Sequence, residues 1–180
     1  MLSQDKVGNH SPPPRGLRFL IFFMKLAKLL SADHIFLDMK AVEHWPSIVE
    51  LVGYLVKTEQ LPASQHAEML DAFKAREEQV STGIGSGVAI PHAFSDHLEE
   101  VIAVFGRSEA GIDFQALDDA PVHFIILFIV PRKNYHLHLQ TLAAIAKMFT
   151  NREVLRQLAA AANPEEILAI FDSKPPRVSA

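Results

Sequence analysis

The feature that most constrains the fold is an apolar run in the second half of the chain. Val122–Val130 reads VHFIILFIV, with apolar residues at both odd and even positions. Since neighbouring side chains of a strand point to opposite faces, both faces of this strand are apolar. Such a strand lies in the middle of a sheet that is covered on two sides. The run therefore predicts a layered protein in which helices pack on both faces of a sheet.

The rest of the chain supplies the elements for that arrangement. Apolar residues at helical spacing predict helices over 25–30, 44–58, 63–78, 135–150, 152–162 and 164–171. Further strands are predicted over 34–39, 88–90 and 101–105. Because strands and helices interleave, we expect a single-domain α/β sandwich with a mixed, partly parallel sheet flanked by helices.

Length and composition narrow the class of function. A chain of 180 residues fits one domain, and a net charge of −4 offers no basic surface for nucleic acid or an anionic membrane. The chain has no cysteine, which excludes disulfides, thiolate metal ligands and a cysteine nucleophile. A reducing cytoplasm is the expected compartment.

The two ends differ from the middle. Residues 1–16 are polar and contain three consecutive prolines, and Leu17–Phe23 is an apolar stretch too short to cross a bilayer. We expect residues 1–23 to be a flexible extension, or a stretch included because the translation start was assigned upstream of the true start at Met24. The predicted domain then spans 24–173, with a C-terminal tail over 174–180.

The densest chemical information lies in Ser81–His92, STGIGSGVAIPH. Glycines at 83, 85 and 87 let backbone N–H groups approach a small anion, and phosphate is the obvious candidate. The spacing excludes a dinucleotide fingerprint, a phosphate-binding Walker loop and a Gly-x-Ser-x-Gly elbow. Judged by the glycines alone, a simple turn ahead of a strand explains them equally well.

Two histidines are candidates for chemistry. His92 follows Pro91 at the end of a short apolar strand, where α/β folds present functional groups. His138 lies near the predicted N-terminus of a helix capped by Asn134, which favours a neutral ring that can donate to a phosphoryl oxygen. A structural histidine is the alternative for both. Five others are expected on the surface or on helix faces (His10, His34, His44, His66) or in the core (His123).

These segments together resemble the enzyme IIA domain of the fructose/mannitol class, including its nitrogen-regulatory members, of the bacterial phosphoenolpyruvate-dependent sugar phosphotransferase system. The resemblance covers Met24 to about Phe171. It is carried by Ala75–Glu78 (AREE), by STGIGSGVAIPH, and by Pro131 followed by His138–Leu142 (HLQTL). The sequence departs from many members at Ala93, where they have glycine, and in the following Phe94–His97, which affects the rim where a partner docks.

The resemblance implies roles for particular residues. His92 would carry the phosphoryl group, His138 would be the second active-site histidine, and Arg76 would be the cation against the phosphoryl group. His136 is out of register with the motif and is left out of the site. The implied phosphoryl-binding residues form the glycine-rich loop: Thr82, Gly83, Gly85, Ser86 and Gly87.

The resemblance also implies a relay without metal, nucleotide or other cofactor. A histidine phosphocarrier protein would donate to His92, and a sugar-specific IIB component or a regulatory target would receive the group; no nucleic acid partner or membrane insertion is expected. One alternative is a non-catalytic regulator whose binding is switched by phosphorylation. Another is a metal-dependent hydrolase with ligands drawn from His92, Asp96, His97, His136 and His138.

Overall fold

The computed structural model describes Leu26 and residues 28–134, 142–143 and 145–173. The predicted N-terminal extension and C-terminal tail lie outside these residues. Six strands form one sheet: β1 (Ile35–Phe36), β2 (Gly83–Gly85), β3 (Val88–Ala89), β4 (His92–Ser95), β5 (Ile102–Ile112) and β6 (Val122–Pro131).

The sheet is mixed, as predicted. Its order is β1-β5-β6-β3-β2, and β4 also pairs with β6. Pairs β1–β5, β3–β6 and β4–β6 are parallel, whereas β5–β6 and β2–β3 are antiparallel. The predicted α/β class is therefore confirmed.

Helices lie between the strands and after the last of them. They are α1 (His44–Lys57), α2 (His66–Glu77), α3 (Arg152–Ala160) and α4 (Pro164–Asp172), and residues 142–143 and 145–148 are also helical. Single 3-10 turns occupy 32–34, 63–65 and 132–134. The side chains of Asn151 and Asn163 cap α3 and α4 by accepting backbone N–H bonds, so local sequence fixes where both helices begin.

The two faces of β6 explain the apolar run of the sequence. Alternate residues belong to two separate cores: Phe124, Ile126, Phe128 and Val130 face one, and Ile125, Leu127 and Ile129 face the other. Residues of α3, α4 and the helical residues 145–148 fill the first core, and residues of α1 and α2 fill the second. The sheet is thus covered on both sides, as the sequence predicted.

Strands β2 and β4 were not predicted, and two predicted strands have clearly different bounds. Only Ile35 and Phe36 of the predicted strand 34–39 are in the sheet. Strand β5 continues to Ile112 instead of ending at Phe105, because it stays paired with β6 as far as the register Ile112↔Val122. Its polar residue Arg107 is accommodated by donating from Nη1 to the carbonyls of Leu158 (3.0 Å) and Ala161 (2.6 Å).

Among the residues with described structure, no helix is both long and apolar enough to cross a membrane.

Candidate functional site

The candidate site is built around an interruption between β3 and β4. Both strands pair in parallel with β6, but Ile90 and Pro91 separate them. The Ile90 N–H donates to the Thr82 carbonyl (3.0 Å), and the Ile90 carbonyl accepts from His92 Nδ1 (3.0 Å). His92 therefore begins β4, rather than ending the preceding strand as the sequence suggested.

Two contacts fix the tautomer of His92. Its Nδ1 faces a carbonyl oxygen, which can only accept, so Nδ1 carries the proton. Its Nε2 lies 3.2 Å from Arg76 Nε, which can only donate, so Nε2 keeps its lone pair. The ring is thus neutral with a basic nitrogen directed at a guanidinium.

The electrostatics of the site favour that neutral ring. Burial is the main cause of a lowered pKa for His92, and the Arg76 cation lowers this pKa further. The Ile90 carbonyl and the Glu77 carboxylate oppose the shift without reversing it. His92 is consequently an uncharged imidazole near pH 7, which is the nucleophilic form.

Arg76 is positioned by the last turn of α2. Besides contacting His92, it donates from Nη1 to the Val80 carbonyl (2.9 Å), just beyond the helix end. The two predicted site residues Arg76 and His92 are therefore neighbours in space, although they are 16 positions apart in the chain.

The sequence did not predict the acidic partner beside them. The Glu77 side chain is only 6% exposed, and it accepts from Thr82 Oγ1 (2.6 Å), from Thr82 N (3.1 Å) and from His44 Nε2 (2.9 Å). Burial acts to raise the pKa of Glu77, but the hydrogen bonds from His44 and Thr82 outweigh it and lower the pKa. Glu77 is thus an ionised, almost fully buried carboxylate next to the site.

His44 was expected on a helix face and is instead part of this cluster. Its ring is 18% exposed and packs 4.0 Å from the ring of Phe114. The run Ala75–Glu78 hinted at Glu77, because it places a carboxylate directly beside Arg76. No signal in the sequence pointed to His44, which lies 33 residues before its partner.

The glycine-rich loop forms a tight hairpin between β2 and β3. Ser86 and Gly87 have φ of 56° and 76°, as a type I′ turn requires at its two central residues. A Cβ on Gly83 would lie 2.8 Å from the Ala116 Cα, so close backbone approach requires glycine there. Local packing thus accounts for much of the glycine pattern.

Several N–H groups of this loop already have protein acceptors. Those of Thr82, Gly83 and Ser86 donate to Glu77, Ser81 Oγ and Asp118, respectively. These three N–H groups thus already have acceptors within the protein. Phosphoryl contacts from Thr82, Gly83, Gly85, Ser86 and Gly87 stay predictions.

Two further histidines were considered near the predicted start of a later helix. His136 and His138 lie outside the described residues.

Within the part of the chain that is described, no group of three or more histidine, aspartate or glutamate side chains could hold a metal ion. Asp96 pairs with Arg132 (2.7 Å) and His97 with Glu68 (3.5 Å).

Comparison with known proteins defines the class. Residues 28–174 match the family model for the phosphoenolpyruvate-dependent sugar phosphotransferase system, EIIA 2. The chain therefore belongs to the IIA family of this phosphotransferase system, and a phosphoryl-carrier role fits that family.

The similar proteins include a fructose-specific component and a nitrogen regulatory protein. The chain is 32% identical over 149 residues to the fructose-specific EIIABC component of Bacillus subtilis, covering 83% of this chain but 23% of that protein. The crystal structure of nitrogen regulatory protein IIA-Ntr from Neisseria meningitidis is 30% identical with a TM-score of 0.74, over 82% of this chain and 99% of that one. The mannitol IIA protein of Escherichia coli, solved with phosphorylated IIB, shares the fold at 23% identity and a TM-score of 0.66, over 79% and 96%.

Proposed function

We propose that this chain is a phosphoryl carrier in which Nε2 of His92 accepts and then surrenders the phosphoryl group. The observation that carries the proposal is the ring geometry: Nδ1–H is bound to the Ile90 carbonyl, and the Nε2 lone pair faces Arg76. A neutral imidazole with one defined basic nitrogen suits a reversible nucleophilic transfer.

The transfer step follows from this tautomer. The Nε2 lone pair forms a bond to phosphorus while the P–N bond of the donor phosphohistidine breaks, and its electron pair returns to the donor imidazole. The proton stays on Nδ1 of His92 throughout. The positive charge that the ring gains on acceptance is stabilised by the Ile90 carbonyl, which already accepts from Nδ1–H.

Arg76 supplies the charge that the phosphoryl group requires. Its guanidinium exchanges the Nε2 contact for phosphoryl oxygens as the P–N bond forms, because the lone pair it contacts is then consumed. Transfer of a metaphosphate-like group depends mainly on positioning and electrostatic stabilisation. His138 is predicted to be the second active-site histidine, as implied by the family resemblance.

The partners are proposed from the same chemistry. The donor is a histidine phosphocarrier protein, and the acceptor is a IIB component or a regulatory target protein in the cytoplasm. The relatives support both kinds of acceptor, since one is named as a fructose-specific component and another as a nitrogen regulatory protein.

The test is ³²P transfer from phosphoenolpyruvate through the general relay proteins to the purified chain. We expect labelling of the wild type and of His97→Ala, which removes an exposed histidine five residues away, but none of His92→Ala. Normal labelling of His92→Ala would reject the assignment. Adding a IIB protein then distinguishes the two kinds of acceptor, because transfer of the label from the chain to IIB indicates a role in sugar transport.

A further inference from the structure

The buried carboxylate of Glu77 has no part in the transfer step above, yet it lies beside the reacting ring. It follows Arg76 directly at the end of α2 and joins two segments distant in sequence, the start of α1 through His44 and the glycine-rich loop through Thr82. An ionised, nearly inaccessible carboxylate is costly unless its hydrogen bonds are satisfied, and these contacts satisfy it.

We propose that His44, Glu77 and Thr82 form a positioning network that fixes the His92 ring for phosphoryl transfer. The inference deepens the proposed function and rests on it. Neither His44 nor Glu77 is assigned to contact the phosphoryl group; the network acts on the ring through Thr82 and Ile90.

The hydrogen bonds trace a continuous route to the ring. Glu77 holds Thr82 by both its backbone N–H and its hydroxyl, the Thr82 carbonyl accepts from Ile90 N (3.0 Å), and the Ile90 carbonyl accepts from His92 Nδ1 (3.0 Å). On the opposite side of the ring, Arg76 contacts Nε2. The last turn of α2 therefore controls both ring nitrogens, one directly and one through the loop.

His44 completes the network by orienting the carboxylate. Its Nε2 donates to Glu77 Oε2, the oxygen that also accepts from Thr82 N, while Oε1 accepts from the Thr82 hydroxyl. Packing against Phe114 holds the His44 ring in place. Without the His44 donor, the carboxylate can rotate and the loop loses its fixed distance from α2.

The first test compares Glu77→Gln with Glu78→Gln, which makes the same change at the next, exposed position. In Glu77→Gln one acceptor oxygen becomes an NH2 group and the negative charge is lost, so the side chain can no longer accept from Thr82 Oγ1 and from Thr82 N and His44 Nε2 at the same time. We therefore expect the rate of phosphoryl acceptance to fall roughly 10- to 100-fold. Because the Glu77 carboxylate raises the pKa of His92, the same variant should lower that pKa further. Glu78→Gln should change neither quantity.

The second test separates the His44 donor from its packing. His44→Phe keeps a ring against Phe114 but cannot donate, whereas His44→Gln keeps a donor. We expect slowed acceptance in His44→Phe and recovery of most of the rate in His44→Gln. Wild-type rates in His44→Phe, or equally slow rates in both variants, would overturn the network.

An NMR measurement distinguishes this inference from the proposed function. The ¹⁵N shifts of the His92 ring report its tautomer and pKa without any phosphoryl transfer. An altered tautomer in Glu77→Gln supports the network even if no label reaches His92, an outcome that would reject the function alone. An unchanged tautomer, pKa and acceptance rate in Glu77→Gln, with normal wild-type labelling, overturns the network alone.

Discussion

The role of Arg76 leads to a prediction in which charge and geometry can be separated. Arg76→Lys keeps the cation but replaces the planar guanidinium, which contacts both His92 Nε2 (3.2 Å) and the Val80 carbonyl (2.9 Å). One ammonium cannot reproduce this pair of contacts. Arg76→Met removes the cation as well.

The magnitudes decide how the result is interpreted. Loss of one preorganised donor to a transition state slows a reaction about 10²- to 10³-fold. Loss of the exposed Val80 contact costs about 0.5–1.5 kcal/mol of folding free energy, which is too little to unfold a domain. We therefore expect both variants to be folded and to accept the phosphoryl group at least about 100-fold more slowly.

The His92 pKa distinguishes the two variants. The Arg76 cation contributes to lowering that pKa, so Arg76→Met should raise it. In Arg76→Lys the cation remains and the pKa should stay close to that of the wild type. The assays are quenched-flow ³²P acceptance and NMR titration of the His92 ring. Wild-type acceptance by Arg76→Lys would refute the reasoning and leave Arg76 as a surface residue that ends a helix.

Three further predictions concern pH and stability. Because the pKa of His92 is lowered and the neutral ring is the nucleophile, the acceptance rate should fall on acidification with a midpoint below pH 6.5; a midpoint at or above 6.5 would contradict the burial argument. Gly83→Ala should lower the free energy of unfolding in urea by about 1–3 kcal/mol, since its Cβ would lie 2.8 Å from the Ala116 Cα. The control Gly53→Ala, which has open space inside a helix, should raise it by about 0.5–1 kcal/mol, and equal effects would rule out the clash. Arg107→Met should cost about 2–4 kcal/mol because the carbonyls at the end of α3 lose their donor, whereas Arg156→Met, in an exposed ion pair, should cost less than about 1 kcal/mol.

The sequence predicted those helices and strands whose apolar residues recur at a regular spacing. The two-faced apolar pattern of β6 and the stripe on α1 reflect burial, and burial is recorded residue by residue along the chain. Strand β5 was cut short in the prediction because Arg107 interrupts its apolar run. The structure accommodates that arginine by donating to carbonyls 51 and 54 residues away, a compensation that no local pattern shows.

Some residues of the candidate site could likewise be predicted from the sequence, and others could not. His92 and Arg76 were predictable because they belong to two specific motifs, and the structure places them in contact. The link between His44 and Glu77 was not, since a single polar contact between distant segments leaves no periodic trace. The glycines were explained only in part, because the positive φ of Gly87 and the close approach at Gly83 are properties of the folded hairpin.

The central claim is that Nε2 of His92 carries the phosphoryl group, and the most direct measurement is the site of phosphorylation in the intact chain. Phosphorylated protein labelled with ¹⁵N-histidine should show phosphorus–nitrogen coupling at Nε2 of His92, with Nδ1 still protonated and bound to the Ile90 carbonyl. Phosphorus on Nδ1 of that ring, or on any other residue, would contradict the tautomer that Ile90 and Arg76 impose.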